Sequence, residues 1–121
     1  MSCPRVEIDL DKVGHNARTL VERAGALGIS VTGVTKAVLG LPPRAAVLVA
    51  AGVAALGDSR IENIETMRAA GLGGPMVLIR SPMPSQVGRV VDSGAISLGT
   101  DCDVMTLLAA AARVVGERTA D

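Results

Sequence analysis

A chain of 121 residues is long enough for one compact domain with its own core. Its twelve basic and twelve acidic residues cancel and are interspersed, leaving no electrostatic footprint for nucleic acid and no polybasic patch for a membrane surface. Phe, Tyr and Trp are all absent, so no ring can stack on a base or a cofactor, no tyrosine can donate a proton, and the core must be built from Val, Leu, Ile, Met and Ala.

The first segment, Arg5-Val6-Glu7-Ile8-Asp9, alternates polar and apolar and predicts a strand. A helix is predicted from about Asp11 to Leu27, with Asp9 or Asp11 near its N-cap, an apolar stripe of Val13, Ala17, Leu20, Val21, Ala24 and Leu27, and Gly28 placed to end it. Val31–Thr35 is the next strand. Pro42-Pro43 opens a second helix, where proline costs no hydrogen bond, and Gly52 ends it. Val53–Leu56 is a strand. Ser59-Arg60-Ile61-Glu62 reads as a capping box in which Ser59 and Glu62 satisfy each other's backbone donors, with Ile61, Ile64 and Met67 as the buried stripe and Gly71 as the stop. Met76–Ile79 is a strand, followed by a helix over Pro84–Asp92 with Val87, Val90 and Val91 facing in. Ala95–Leu98 is the last strand. A final helix starts near Thr100 or Asp101 and carries Val104, Leu107, Leu108, Ala111 and Val115.

Four apolar strands, each followed by a helix and repeating at roughly 20 residues, suit a parallel sheet with right-handed crossovers. Two closures fit: an open doubly wound sheet or a (β/α) barrel. A whole barrel takes about 250 residues. As a barrel, the chain holds about the first four βα units, and the last strand leaves an unpaired edge. No apolar run reaches the ~20 residues needed to cross a bilayer. The first residues, Met1 to Glu7, lack the apolar stretch of a signal peptide, so a cytoplasmic chain is expected. Cys3 and Cys102 are far apart and form no metal spacing, which favours free thiols over a disulfide framework.

In parallel βα architectures the functional groups sit at the C-terminal strand ends. That rule selects Thr35 and Lys36, then Asp58, Ser59, Arg60, Glu62 and Asn63, then Arg80 and Ser81, then Gly99, Thr100 and Asp101. A lysine ending an apolar strand is either a partly desolvated nucleophile or an ordinary side chain with its head in water. Asp58, Arg60 and Asn63 are placed to line the mouth of a cofactor site. Ser59 and Glu62 are already explained by capping. Arg80 is either a bidentate receptor for a carboxylate or a solvated arginine. Thr35 reads as a β-branched strand residue, Thr100 and Asp101 as a helix cap, and His15 as structural. The glycines follow helices and form neither a dinucleotide fingerprint nor a phosphate loop.

These residues also carry a resemblance. Val6-Glu7-Ile8-Asp9-Leu10-Asp11 with His15-Asn16 resembles the opening of alanine-racemase-type proteins, and Gly33-Val34-Thr35-Lys36-Ala37 resembles their cofactor-lysine strand. Gly57-Asp58-Ser59-Arg60-Ile61-Glu62-Asn63-Ile64 and Leu78-Ile79-Arg80-Ser81-Pro82-Met83 are similar to the ornithine-racemase-like branch of that family. The resemblance runs from about Arg5 to Leu108, and its weight lies in four motifs in the right order at the ends of the right strands. It implies a fold-type-III pyridoxal-phosphate enzyme, usually dimeric, whose N-terminal domain is a TIM-type barrel. Residues 1–121 would be a truncated N-terminal part of that barrel. It implies that Lys36 forms the Schiff base with pyridoxal 5'-phosphate, is displaced by the substrate amine, and moves the α-proton on one face. It implies Asp58, Arg60 and Asn63 near the cofactor and Arg80 on the substrate.

The chain also departs from the family's pattern. Ala37-Val38-Leu39-Gly40 stands where alanine racemases place an aromatic residue against the phosphate, and their second acid/base is a tyrosine from a later domain. Three functions follow as expectations: an amino-acid racemase for a small or basic substrate such as ornithine, a pyridoxal-phosphate carrier without turnover, or an inactive half-barrel whose edge pairs with a second copy.

Overall fold

The computed structural model describes residues 2–119; Met1, Ala120 and Asp121, the ends of the expected domain, lie outside the described residues. Helix α1 (Leu10–Gly25) comes first, followed by β1 (Thr32–Val34), a 3-10 turn over Lys36–Val38, α2 (Pro42–Ala50) and β2 (Ala55–Asp58). Next are α3 (Ile61–Ala69), β3 (Met76–Leu78), a 3-10 turn over Pro84–Gln86, α4 (Val87–Asp92), β4 (Ile96–Ser97) and α5 (Cys102–Thr119). All strand pairs are parallel and the order in the sheet is β1-β2-β3-β4. No helix among the described residues is long and apolar enough to cross a membrane.

The strand order decides between the two closures. A doubly wound sheet reverses its order at a switch point and carries helices on both faces. Here the order never reverses, and α2, α3, α4 and α5 all pack on one face of the sheet. The core joins Ala45, Ile61, Ile64, Met67 and Val90 from the helices to Leu56, Met76 and Leu78 from the strands, with Leu48 and Leu108 against it. Right-handed crossovers between successive neighbours place helices on a single side, which is the winding of a (β/α) barrel. The chain is four βα units of such a barrel.

The register makes the sheet two-faced. Gly33 pairs with Leu56 and Leu56 with Met76, and this row faces the helices. The next row, Val34, Gly57, Val77 and Ile96, faces the other way. No helix among the described residues packs on that second face, and Val34, Ile96 and Leu98 are about half exposed. It corresponds to the inner wall of a barrel.

The helix ends follow local chemistry. The Asp9 carboxylate accepts from the Asp11 and Lys12 N–H groups at 3.1 Å and starts α1 one residue earlier than expected. Asp101 accepts from the Asp103 and Val104 N–H groups at 2.9 and 3.2 Å, as a cap for α5. Two expectations fail. Arg5–Asp9 is not a strand: Val6 is 86% exposed, so alternation there finds no core to bury, while Ile8 lies against a groove with Leu10, Leu41 and Pro43. The Ser59–Glu62 capping box does not form either. Arg60 occupies the N-cap with no side-chain bond of that kind, and the Arg60 N–H goes back to the Asp58 carboxylate at 3.0 Å.

Glu62 turns outward instead and accepts from Arg89 Nη1 at 3.3 Å. Arg89 also grips Glu65 in a fork, with Nε at 2.8 Å, and so ties α4 to α3. The hydrogen bond from Arg89 holds the Glu65 carboxyl below the usual carboxylate range, and the same contact raises Arg89 further. A carboxyl whose folded pKa is depressed stabilises above its unfolded value and loses that contribution as pH falls through the folded one. The pair is solvent-exposed, so the effect is small. The stability difference between the wild type and Arg89→Ala is therefore expected to shrink as pH is lowered from about 6 to about 3, measured by thermal melts across that range.

Candidate functional site

Lys36 follows β1 directly and begins the 3-10 turn. Its side chain is exposed, not partly desolvated as its strand-end position suggested, because the sheet face next to it is open. The backbone beneath it is tightly fixed. Thr35 is fully buried; its N–H donates to the Gly57 carbonyl at 2.8 Å and its hydroxyl to Asp58 Oδ2 at 2.7 Å. The Thr35 carbonyl in turn accepts from the N–H groups of Val38 at 2.9 Å and Gly40 at 3.2 Å.

The far end of the turn is held by shape. Leu39 and Gly40 both have positive φ, 56° and 60°. Left-handed backbone costs a side-chain-bearing residue roughly 1–2 kcal/mol, and Leu39 accepts that cost within a turn bonded on both sides. Gly40 is required on a second count: a Cβ there would lie 2.6 Å from the Asn63 Cβ and 3.2 Å from its Cα. The turn thus rests directly on the first turn of α3.

Asn63 and Thr35 share one partner. Asp58, at the end of β2, is fully buried, and its Oδ1 accepts from Asn63 Nδ2 at 2.9 Å and from the Arg60 N–H at 3.0 Å. With the Thr35 hydroxyl on Oδ2, one carboxylate has three donors. Asp58 therefore lies under the Lys36 turn, on the helix side of the sheet, rather than at an open mouth. Asn63 stands between Asp58 and Gly40.

Arg60 and Arg80 come together elsewhere on the rim. Both line a cleft of about 420 Å³ with Ser59, Ser81 and Gln86. Arg80 also borders a second cleft of about 460 Å³, lined by Ile79, Leu98 and Thr100. Arg60 sits 3.9 Å from Glu62, a loose exposed pair. Among the described residues, no carboxylate lies within ion-pairing distance of Lys36 or Arg80. Ser81 is structural: its hydroxyl accepts from the Thr100 N–H at 3.2 Å. His15 is exposed on α1, away from this rim. Cys3 and Cys102 are free and exposed, and no metal-binding cluster of His, Cys, Asp or Glu exists among the described residues.

The sequence reading selected Thr35 by its strand-end position but took it for a β-branched strand residue, and it missed Gly40. The signal for Thr35 was available in the register: pairing Val34 with Gly57 brings the next two residues, Thr35 and Asp58, side by side at the strand ends. Gly40 had no such signal, because its neighbour Asn63 is set by tertiary packing.

A parallel sheet wound in one direction, with a lysine on a locked turn after its first strand, is the frame in which the comparisons fall. The profile of the family described as "Alanine racemase, N-terminal domain" matches residues 8–120. The chain belongs to that family. It is also 42% identical, over 104 residues, to the lysine racemase of Thermotoga maritima, a match that takes in 86% of this chain and 29% of that relative. The chain thus spans less than a third of the length of that relative.

The packing at Gly40 has a measurable consequence. Gly71 has a comparable left-handed φ of 83° but open space around its Cβ position, so Gly71→Ala isolates the backbone cost. Gly71→Ala is expected to cost about 1 kcal/mol and Gly40→Ala at least about 1 kcal/mol more, from overpacking against Asn63. Urea melts of the two variants compare them directly.

Proposed function

We propose that these residues form the cofactor-anchoring part of the barrel in a pyridoxal-phosphate-dependent amino-acid racemase, with Lys36 as the covalent anchor and a basic amino acid, lysine or ornithine, as the substrate. The observation that carries this reading is the Lys36 amine: exposed, at a strand end, on a turn locked by Thr35, Asp58 and Gly40, in a chain of the alanine racemase N-terminal family. The 42% identity to a lysine racemase supports the choice of a basic substrate.

The residues present fit the cofactor on two counts. An exposed primary amine with no carboxylate partner among the described residues is free to attack an aldehyde. The neighbouring open face, with Val34, Ile79 and Leu98, is apolar and accepts a flat ring. Bound there, pyridoxal phosphate supplies an electron sink for charge developing at the substrate α-carbon.

The chain's own groups do the rest. Lys36 would hold the cofactor through Nζ, and its amine would move a proton at the substrate α-carbon on its side. Arg80 binds the substrate carboxylate. It follows the end of β3, two strands from β1 and so roughly 10 Å from Lys36 across the sheet, a gap that its long side chain and an amino acid together bridge. Arg60, at the same rim, is the cationic contact for the cofactor's charged end, and Asp58 and Asn63 act from beneath. Assembly as a homodimer and a cytoplasmic location belong to the same proposal.

Lys12 and Lys36 are the only lysines in these 121 residues, so within this part of the protein an adduct has two possible sites, told apart by peptide mapping. The full-length protein incubated with pyridoxal phosphate is expected to gain a visible absorbance that borohydride bleaches. The reduced adduct should map to the Lys36 peptide, and Lys36→Ala should lose both. No adduct at saturating cofactor would overturn the proposal. Conversion of L-lysine or L-ornithine to the D-enantiomer, read by chiral chromatography, separates a racemase from a carrier. Arg80→Met is expected to raise KM by about 10-fold or more, from the loss of charge-assisted hydrogen bonds worth about 1.5–3 kcal/mol.

A further inference from the structure

We propose that Asp58 is a positioning residue for Lys36: a carboxylate that reaches neither cofactor nor substrate, yet sets where the lysine amine stands. The inference rests on the reading of Lys36 as the anchor.

The argument begins with burial. Asp58 is fully buried at the end of β2, and each of its donors comes from a segment that meets the Lys36 turn. The Thr35 hydroxyl, 2.7 Å from Oδ2, belongs to the residue immediately before Lys36. Asn63 Nδ2, 2.9 Å from Oδ1, belongs to the residue on which Gly40 rests. The Arg60 N–H, 3.0 Å from Oδ1, fixes the entry to α3 and so the height of Asn63. One side chain therefore clamps the turn at its start and at its end.

A clamp of this kind matters because the Lys36 side chain has no clamp of its own. It is exposed and has no hydrogen-bond or ion-pair partner among the described residues, so what restricts its amine is the position of its Cα. Freezing the backbone shortens the search an exposed amine makes for a bound carbonyl, which is the entropic part of catalysis supplied from outside the site. Second-layer hydrogen bonds orient reacting groups in the same way at designed and natural sites.

Thr35→Val removes the hydroxyl while keeping the shape, and Thr35→Ser restores the hydroxyl. Asn63→Ala keeps the Cβ that Gly40 touches and removes only the bond to Asp58. Three readouts on the full-length protein separate positioning from mere stability. These are hydrogen exchange at the Val38 and Gly40 amides, the rate of borohydride-trappable pyridoxal phosphate capture at Lys36, and acetylation of Lys36 relative to Lys12 as a function of pH.

Thr35→Val is expected to speed exchange at the two turn amides tenfold or more and to slow cofactor capture tenfold or more, while the α5 amides exchange as in the wild type. Thr35→Ser should return both rates to within about twofold of the wild type. The ratio of Lys36 to Lys12 acetylation should shift in Thr35→Val and not in Thr35→Ser. Should Thr35→Val fail to fold, Asn63→Ala carries the test, with an expected threefold change in the same direction. Capture and exchange at wild-type rates in the folded variants would overturn the proposal, as would a Thr35→Ser variant no better than Thr35→Val. If the wild type captures no cofactor at Lys36, the proposed function falls, and the clamp is then decided by exchange and by the acetylation ratio alone.

Discussion

A carboxyl group withdrawn entirely from water costs several kcal/mol unless donors replace its hydration. At Asp58 they come from the Thr35 hydroxyl, the Asn63 side-chain amide and the Arg60 backbone N–H, with no guanidinium or ammonium group among them. One sits at the end of β1 and two at the start of α3, so satisfying the carboxylate ties those two segments together. The end of β1, the start of α3 and the turn that bears Lys36 are located relative to one another by a single residue. The remaining features of the rim follow from that constraint. Gly40 must be glycine because Asn63 is held so close, and Arg60 occupies the helix N-cap because its N–H is already taken by Asp58.

The sheet divides the molecule into two kinds of surface. On the helix side, Leu56, Met76 and Leu78 are buried under α2 to α5 and form the core together with Ala45, Ile61, Ile64, Met67 and Val90. On the other side, Val34, Gly57, Val77 and Ile96 form a row with no cover. The absence of aromatic residues suits this arrangement on the helix side, where small aliphatic chains close the gap between short strands and short helices. The buried polar side chains Thr35 and Asp58 lie at the strand ends, on the same end of the sheet as Lys36 after β1 and Arg80 after β3.

The parallel winding was legible in the sequence because burial on both sides of a strand leaves apolar runs, and each of the four runs is a strand in the sheet. The α3 stripe of Ile61, Ile64 and Met67 was equally legible, since it depends only on helical period. Two local patterns misled. Arg5–Asp9 alternates as a strand does, but alternation specifies a strand only where a neighbouring edge and a core exist to receive it. Ser59–Glu62 has the spacing of a capping box, but a competing acceptor one residue earlier, Asp58, takes the N–H that the box would use. The choice between barrel and doubly wound sheet could not be read from element order alone, because both alternate strand and helix; it lies in the strand neighbours, which are tertiary.

Strand-end position was legible in the sequence, and the layer that each side chain occupies was not. Strand-end position selected Lys36, Asp58, Arg60, Asn63 and Arg80 together, as if all stood at one mouth. The geometry sorts them by layer. Lys36 and Arg80 are exposed and free of partners among the described carboxylates, as groups that meet a ligand should be. Asp58 is buried and saturated, as a group that holds others in place should be. An exposed amine on a backbone bonded at both ends combines two properties: exposure keeps the amine open to solvent, while the hydrogen bonds beneath fix the position of its Cα. Burial would have supplied direction too, but at the cost of access. The clamp beneath Lys36 separates those two requirements, placing the rigidity one residue earlier, in Thr35, and leaving the lysine itself open.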